Sequence, residues 1–226
     1  MDQEHSHDFA QRLAASMRRE TVGTTITTAK GADLYVCGDP AESVYFVRSG
    51  QFKLMVPSPA GRECLLAIHI AGDVFGELCL VASGTRVETA TAMQDSVVTQ
   101  LANTGFLNRL SSDSLLEGFV QYLATRVSQQ QQTIASLMTA DSEQRLAAAL
   151  LQLARKIGVH DPRSMRIRQK ITHQDLASMV GTTRPRITKF MQKFKQLGLI
   201  EFSAEQHLIV REQMLGGYLA RAANGK

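Results

Sequence analysis

The sequence predicts an α+β protein: an antiparallel β domain first, then one long helix, then a small helix-turn-helix unit followed by a β-hairpin. Three observations lead there. Between Thr21 and Leu101, short runs rich in Val, Ile, Leu and Phe alternate with turns containing Gly, Pro and Asp. From Leu116 to Leu137 the apolar residues fall on a strict heptad seam, with no Pro or Gly between Phe119 and Met138. From Ile171 to Ile200 two amphipathic helical patterns meet at Gly181. Charge divides the chain in the same way: residues 1–140 carry 10 Lys+Arg against 14 Asp+Glu, and residues 141–226 carry 15 against 7. A basic half joined to an acidic half points to nucleic acid as a partner of the second half.

At 226 residues the chain is long enough for one large or two modest domains, each with a buried core. Its hydrophobic fraction of 44% and charged fraction of 20% are those of a soluble globular protein. No apolar run approaches the roughly 18 residues of a membrane span. Met1–Glu20 lacks an apolar signal core, so a cytoplasmic location is expected. Cys37, Cys64 and Cys79 are odd in number, far apart and in no CxxC pair, which fits a reducing compartment and small thiols. His5 and His7 read as a flexible tip, and His69 lies in an apolar strand without signalling haem ligation. With no nucleophile–base pair, metal-ligand spacing or phosphate loop, no catalytic or metal-binding residue is assigned, no cofactor is named, and an enzyme is not expected.

Phe9, Leu13 and Met17 at helical spacing suggest a short helix within 8–20. Strands are expected at Leu34–Cys37, Val44–Val47, Phe52–Val56, Cys64–Ile70, Val87–Thr91 and Val97–Leu101. Short strands at this spacing make an antiparallel sandwich or barrel. Ser111-Ser112-Asp113 offers N-cap chemistry for the long helix. Its seam is Leu116, Val120, Leu123, Val127, Gln130, Ile134 and Leu137, at alternating steps of 4 and 3. So narrow a stripe points to a partner helix, parallel or antiparallel. The polar Gln130 in it either fixes register or contacts something. Thr139–Asp141 reads as a hinge, and Ser142 as the cap of a helix carrying Leu146, Leu150, Leu153 and Ala154. The domains are therefore placed at 1–110, 111–140 and 141–226.

Arg163–Arg168 reads as a short connection or β pair. Beyond it one helix buries Leu176, Met179 and Val180, Gly181 permits a tight turn, Thr183 can cap the next helix, and Pro185 is tolerated in its first turn. Ile187, Phe190, Met191 and Phe194 form the apolar stripe of that second helix, leaving Arg184, Arg186, Thr188, Lys189 and Gln192 outward. A helix of this kind suits the DNA major groove, where arginine meets guanine N7 and O6 in bidentate fashion. Leu199–Phe202 and His207–Val210, across a polar turn, look like a hairpin wing.

Val44-Tyr45-Phe46-Val47-Arg48-Ser49-Gly50, then Gly61-Arg62-Glu63, then Gly72-Asp73-Val74-Phe75-Gly76-Glu77-Leu78 resembles the jelly-roll-like, cyclic-nucleotide-binding β-roll of the Crp/Fnr regulators. Residues 171–210 resemble the winged helix-turn-helix of the same family, and the likeness covers about residues 20–212. It implies a homodimeric DNA-binding transcription regulator joined through 111–140, a small effector in the β-roll, and RNA polymerase as a further candidate partner. In the family the Gly-Glu-Leu segment, here Gly76, Glu77 and Leu78, meets the ribose and phosphate of the nucleotide, and an arginine ten residues after the glutamate pairs with the phosphate. Here the tenth residue is Val87, followed by Glu88, and Arg86 falls one position early. Gln130 and Gln131 replace the hydroxyl residues with which the family's dimerisation helix contacts the nucleotide. The expected effector set is therefore Gly76, Glu77, Leu78, Arg86, Gln130 and Gln131, with an effector other than cyclic AMP. A cyclic-nucleotide-responsive regulator is the alternative, as is a ligand-binding regulatory subunit, which would have no need of a basic helix. On the DNA side, Arg184 and Lys189 match the family's reading positions, with Thr183, Arg186 and Thr188 beside them, while Lys170, Thr172, His173 and Gln174 match its backbone contacts. Pro185 replaces the family's glutamate and cannot accept a hydrogen bond from cytosine, so the DNA site is expected to differ at that base pair.

Overall fold

The structure is a computed structural model that describes residues 9–16, 23–57, 63–81, 84–161, 164–169 and 171–224. The chain divides into two compact units between Gln132 and Thr133.

The first unit opens with a helix over residues 9–16 (α1). Eight strands are described in it: β1 (Thr24–Thr28), β2 (Asp33–Tyr35), β3 (Ser43–Ser49), β4 (Gln51–Pro57), β5 (Glu63–Ile70), β6 (Val74–Phe75), β7 (Thr89–Ala92) and β8 (Ser96–Ala102). They pair antiparallel into two four-stranded sheets, ordered β1-β8-β3-β6 and β2-β7-β4-β5. Helix α2 (Asn103–Ser112) follows, then α3 (Leu116–Thr139), whose residues from Thr133 onward belong to the second unit.

Strand β3 shows why two apolar layers form. Successive side chains point to opposite faces of a strand, and Val44, Tyr45, Phe46 and Val47 are all buried, so both faces of β3 are covered. Tyr45 and Val47 join Tyr35, Phe52, Phe75 and Val98 in the core shared by the two sheets. Val44 and Phe46 join Phe9, Leu13, Phe106, Leu110, Phe119 and Tyr122 in a second core roofed by the helices.

Several expectations need correcting. β1 carries only Ile26 among four threonines, and β6 is two residues long, so neither gave an apolar run. The run at Val87 begins later, at Thr89, and the run at Leu34 ends at Tyr35. Ser111 and Ser112 do not cap the long helix: they close α2, where the Ser112 hydroxyl donates to the Asn108 carbonyl at 2.9 Å. Asp113 follows as the C-cap and pairs with Arg109 at 3.1 Å. Met17, Gly61 and Arg62 lie outside the described residues.

On α3, Phe119 and Tyr122 turn into the core. Most of the heptad seam does not: Leu116, Val120, Val127, Ile134 and Leu137 are 49, 58, 52, 61 and 47% exposed, and Leu123 is half-buried. Gln130 is exposed in line with them.

The second unit contains α4 (Ser142–Ile157), β9 (Gly158–Asp161), β10 (Ser164–Ile167), α5 (His173–Val180), α6 (Arg184–Gln196), β11 (Ile200–Phe202), β12 (Leu208–Val210) and α7 (Glu212–Asn224). Its antiparallel sheet runs β11-β12-β10-β9, so the wing hairpin extends the earlier β pair. α4 buries Leu146, Leu150, Leu153 and Ala154 as expected. Its cap is Asp141 rather than Ser142: Asp141 Oδ1 accepts the Glu143 and Gln144 N–H groups at 3.0 and 2.8 Å, and the Gln144 side chain accepts the Asp141 N–H at 3.1 Å. This reciprocal box satisfies donors that a helix start leaves open. α7 was not anticipated, because Gly216 and Gly217 interrupt it and lower helix propensity by about 1 kcal/mol each; burial of Leu215 anchors it.

Candidate nucleic-acid interface and effector site

α5 and α6 form the helix-turn-helix. Thr172 caps α5, its hydroxyl accepting the Asp175 N–H at 3.0 Å and donating to Asp175 Oδ2 at 2.7 Å. At the other end Gly181 adopts φ 65°, the left-handed turn that glycine takes without a Cβ penalty. α6 starts after Thr183, which occupies the N-cap position but makes no side-chain capping bond. Pro185 sits in the first turn, where its missing N–H costs nothing. Ile187, Met191 and Phe194 are buried, and Phe190, expected with them, is half-buried. Arg184, Arg186, Lys189 and Gln192 are exposed, as are Thr172 and Gln174 at the start of α5. His173 and Thr188, by contrast, meet each other: Nδ1 lies 3.0 Å from Oγ1. Lys170 lies outside the described residues.

Two supporting residues were not singled out from the sequence. Arg145 Nε donates to the Val180 carbonyl at 2.9 Å and Nη1 to the Ala140 carbonyl at 2.7 Å, tying the end of α5 to the residue before the α4 cap. Glu143 accepts from Lys193 Nζ at 2.6 Å and from the Tyr218 hydroxyl, drawing one cation of α6 onto α4. That hydrogen bond raises the Lys193 pKa above its ordinary value. Neither residue has a motif signal, since each acts across elements far apart in sequence.

In the β-roll, Gly76 takes φ 78° and precedes a 3-10 helix over Glu77–Leu80. A Cβ at Gly76 would lie 2.8 Å from Arg86 Nη1, so glycine there accommodates the arginine as well as the turn. Arg86 is 4% exposed: Nη1 donates to the Gly76 carbonyl at 3.0 Å, Nη2 donates to the Ser43 carbonyl at 2.6 Å, and the guanidinium carbon sits 4.3 Å over the Tyr35 ring. Glu88 is also 4% exposed and accepts the Tyr35 hydroxyl at 2.9 Å. Burial first, and then the charge and hydrogen bond of Glu88, push the Tyr35 phenol far above its ordinary pKa.

Glu77 faces α3. Its carboxylate pairs with Arg126 Nη1 at 2.7 Å, with side chains 13 and 19% exposed. Burial opposes the Arg126 charge, but the Glu77 carboxylate more than offsets it and holds the guanidinium above its ordinary pKa. The Tyr122 hydroxyl, one turn earlier, donates to the Val74 carbonyl at 3.0 Å. The structure thus brings together Gly76, Glu77 and Arg86, while Leu78 is 53% exposed and Gln130 and Gln131 lie exposed on α3. Arg126 was missed, although Phe119, Tyr122 and Arg126 fall at steps of 3 and 4 on the inward face.

Among the described residues no cluster of three or more His, Cys, Asp or Glu side chains is placed to hold a metal ion, and no helix is long and apolar enough to cross a membrane.

Comparison with known proteins agrees with this geometry. A family profile described as a cyclic nucleotide-binding domain matches residues 26–113, and one described as a Crp-like helix-turn-helix domain matches residues 144–215. The global nitrogen regulator of Synechocystis sp. is 31% identical over 221 residues, covering 91% of this chain and 94% of that protein. The chain belongs to the Crp/Fnr family of transcriptional regulators. Another Crp/Fnr relative, the CRP-like cAMP-activated global transcriptional regulator of Mycobacterium tuberculosis, is 27% identical over 82% of this chain and 84% of its own length. The Crp/Fnr fold is shared with the c-di-GMP responsive global regulator CLP of Xanthomonas campestris, at TM-score 0.72 and 22% identity over 88% of this chain and 98% of that one. A CooA variant from Carboxydothermus hydrogenoformans aligns at TM-score 0.71 and 23% identity over 87% of each chain. As a Crp/Fnr protein the chain is a transcription regulator with a helix-turn-helix, and its relatives are regulators rather than enzymes.

Proposed function

We propose that this Crp/Fnr protein is a cytoplasmic homodimer that reads DNA with α6, is joined through 111–140, and is controlled through the 1–110 β-roll by an effector other than cyclic AMP. The reading rests chiefly on α6: Ile187, Met191 and Phe194 are buried on one side, leaving Arg184, Arg186 and Lys189 exposed on the other. Residues 141–226 form the DNA-reading domain; Arg184 meets guanine with Lys189 as the second reading residue, while Arg186, Thr183, Lys170 and, at the start of α5, Thr172 and Gln174 hold the duplex. The exposed seam of α3 supports the dimer, since five large apolar side chains are left half out of the core.

For the effector, the support is that both Nη groups of Arg86 are engaged inside the protein, leaving only its buried Nε without a partner among the described residues. A cyclic phosphate needs an available cation, yet both Arg86 Nη groups bond backbone carbonyls and Glu88 lies buried two residues away. Glu77, the ribose partner in the family, is held by Arg126. A second reading, cyclic-nucleotide control, is favoured by the cyclic nucleotide-binding profile and by the cAMP-activated relative. Calorimetric titration of the full chain with cyclic AMP and cyclic GMP separates the two: no heat at micromolar nucleotide is expected, and saturable heat would favour the second reading. Selection of duplexes from a random pool tests the DNA reading, which fails if no sequence is enriched. An activating contact with RNA polymerase is part of the same proposal, tested by transcription in vitro from an enriched site.

A further inference from the structure

α7 runs antiparallel to α4. Glu212, at its start, accepts Arg155 Nε from the last turn of α4 at 2.6 Å, and the Ala222 carbonyl, near its end, accepts Gln144 Nε2 from the first turn at 3.2 Å. Between these ends Tyr218 reaches α6 in two ways. Its ring meets the fully buried Phe194 edge-on, with centroids 5.6 Å apart. Its hydroxyl donates to Glu143 Oε1, the same oxygen that accepts Lys193 Nζ at 2.6 Å. Glu143 is itself fixed at the start of α4, where Asp141 Oδ1 holds its N–H at 3.0 Å. Lys193 and Phe194 are neighbours in the last turn of α6. One tyrosine thus joins three helices, and it holds α6 at the end away from Arg184. Neither Glu143 nor Tyr218 belongs to the stretch 144–215 that the helix-turn-helix profile matches.

We infer that α7 belongs to the DNA-reading apparatus, with Tyr218 a positioning residue that sets the angle of α6 through Phe194 and Glu143. Lys193 follows Arg184 by nine residues, about 14 Å along a helix axis. A swing of about 5° at the held end displaces the arginine by about 1 Å, more than the roughly 0.5 Å window of an N–H···O hydrogen bond. Slack behind α6 therefore removes base contacts, which need a fixed distance. Attraction to the phosphate backbone, which carries no sequence information, tolerates it. The inference rests on α6 being the reading helix, as proposed above.

The test uses the full-length protein, a duplex enriched from a random pool and a scrambled duplex of equal length. Affinity for each is read by fluorescence anisotropy, and their ratio measures discrimination. Tyr218→Leu, which removes both contacts, should lower the ratio about tenfold, the scale of one base contact. Affinity for the scrambled duplex, and its salt dependence, should not change. Tyr218→Phe keeps the ring and should lose about threefold, the scale of one hydrogen bond. Glu143→Ala should also lose discrimination, while Glu143→Gln, whose amide oxygen still accepts both donors, should retain it. Tyr218→Phe should add nothing in a Glu143→Ala background, since the partner of the hydroxyl is already gone. Gln213→Ala, exposed on α7, is the control. If Tyr218→Leu unfolds by circular dichroism, Tyr218→Phe and Glu143→Ala decide alone. Unchanged discrimination in those two, or an equal loss on both duplexes, would overturn this inference alone. Failure of the wild-type protein to enrich any duplex overturns the DNA reading with it.

Discussion

A charge placed on the α3 seam should dissociate the dimer. Leu116, Val120, Val127, Ile134 and Leu137 are 47–61% exposed in the single chain. Full burial of such a side chain contributes about 1.5–3 kcal/mol, so the half still exposed has about 1 kcal/mol left to gain. Five residues on each of two chains give about 10 kcal/mol, against association costs of about 4–15 kcal/mol. The seam is therefore close to balance, and small losses should be visible. Ile134→Glu removes two contacts of this size from the dimer and brings two carboxylates together near the helix pair. A combined loss of about 3–5 kcal/mol corresponds to at least a hundredfold weaker association. Sedimentation velocity across micromolar concentrations measures it, with Val81→Glu as control, since Val81 is 84% exposed and off the seam. Dimers that persist unchanged in Ile134→Glu, or wild-type protein that is monomeric at the highest concentrations, would refute the seam as the subunit contact.

Arg184→Ala should weaken binding to an enriched site by about 1–3 kcal/mol and broaden the selected sequence at one base pair, read by anisotropy and reselection. Arg126→Ala leaves Glu77, 13% exposed, without its cation. A fully buried pair broken in this way costs about 3–5 kcal/mol, so about 2 kcal/mol is expected here from the urea midpoint of the first unit, with most of it recovered in Glu77→Gln/Arg126→Met. The Tyr35 and Tyr122 phenols are both held above their ordinary pKa, chiefly by burial. A folded pKa above the unfolded one gives stability that is intact below the unfolded value and lost as pH rises beyond it. Urea midpoints should therefore hold to about pH 10 and then fall, by up to about 1.4 kcal/mol per pH unit for each tyrosine. Tyr122→Phe should flatten that slope.

The reading helix was legible because its signals are local. Gly181, Pro185 and the stripe at Ile187, Met191 and Phe194 lie within fourteen residues and each does what its side-chain chemistry dictates, whereas Thr183 holds the N-cap position without a side-chain capping bond. Strands with apolar runs were legible for the same reason. β1, β6 and α7 were not: four threonines, a two-residue pair and a Gly-Gly helix are set by their neighbours rather than by their own pattern. The effector site was half legible. Gly76 and Glu77 stand in a recognisable segment, and Arg86 and Glu88 could be seen to depart from the family pattern. Where those side chains go was not, because Ser43, Tyr35 and Arg126 reach them from distant strands and from α3. The same limit hid the meeting of His173 with Thr188, fifteen residues apart.

The close fit of Gly76 against Arg86 has an evolutionary consequence. Any side chain at that position would have to evict the arginine and adopt an unfavourable backbone angle, so the glycine answers to the protein's interior whether or not a ligand ever arrives. Selection on the fold alone is then enough to keep the glycine, because the guanidinium packed against it leaves no room for a Cβ.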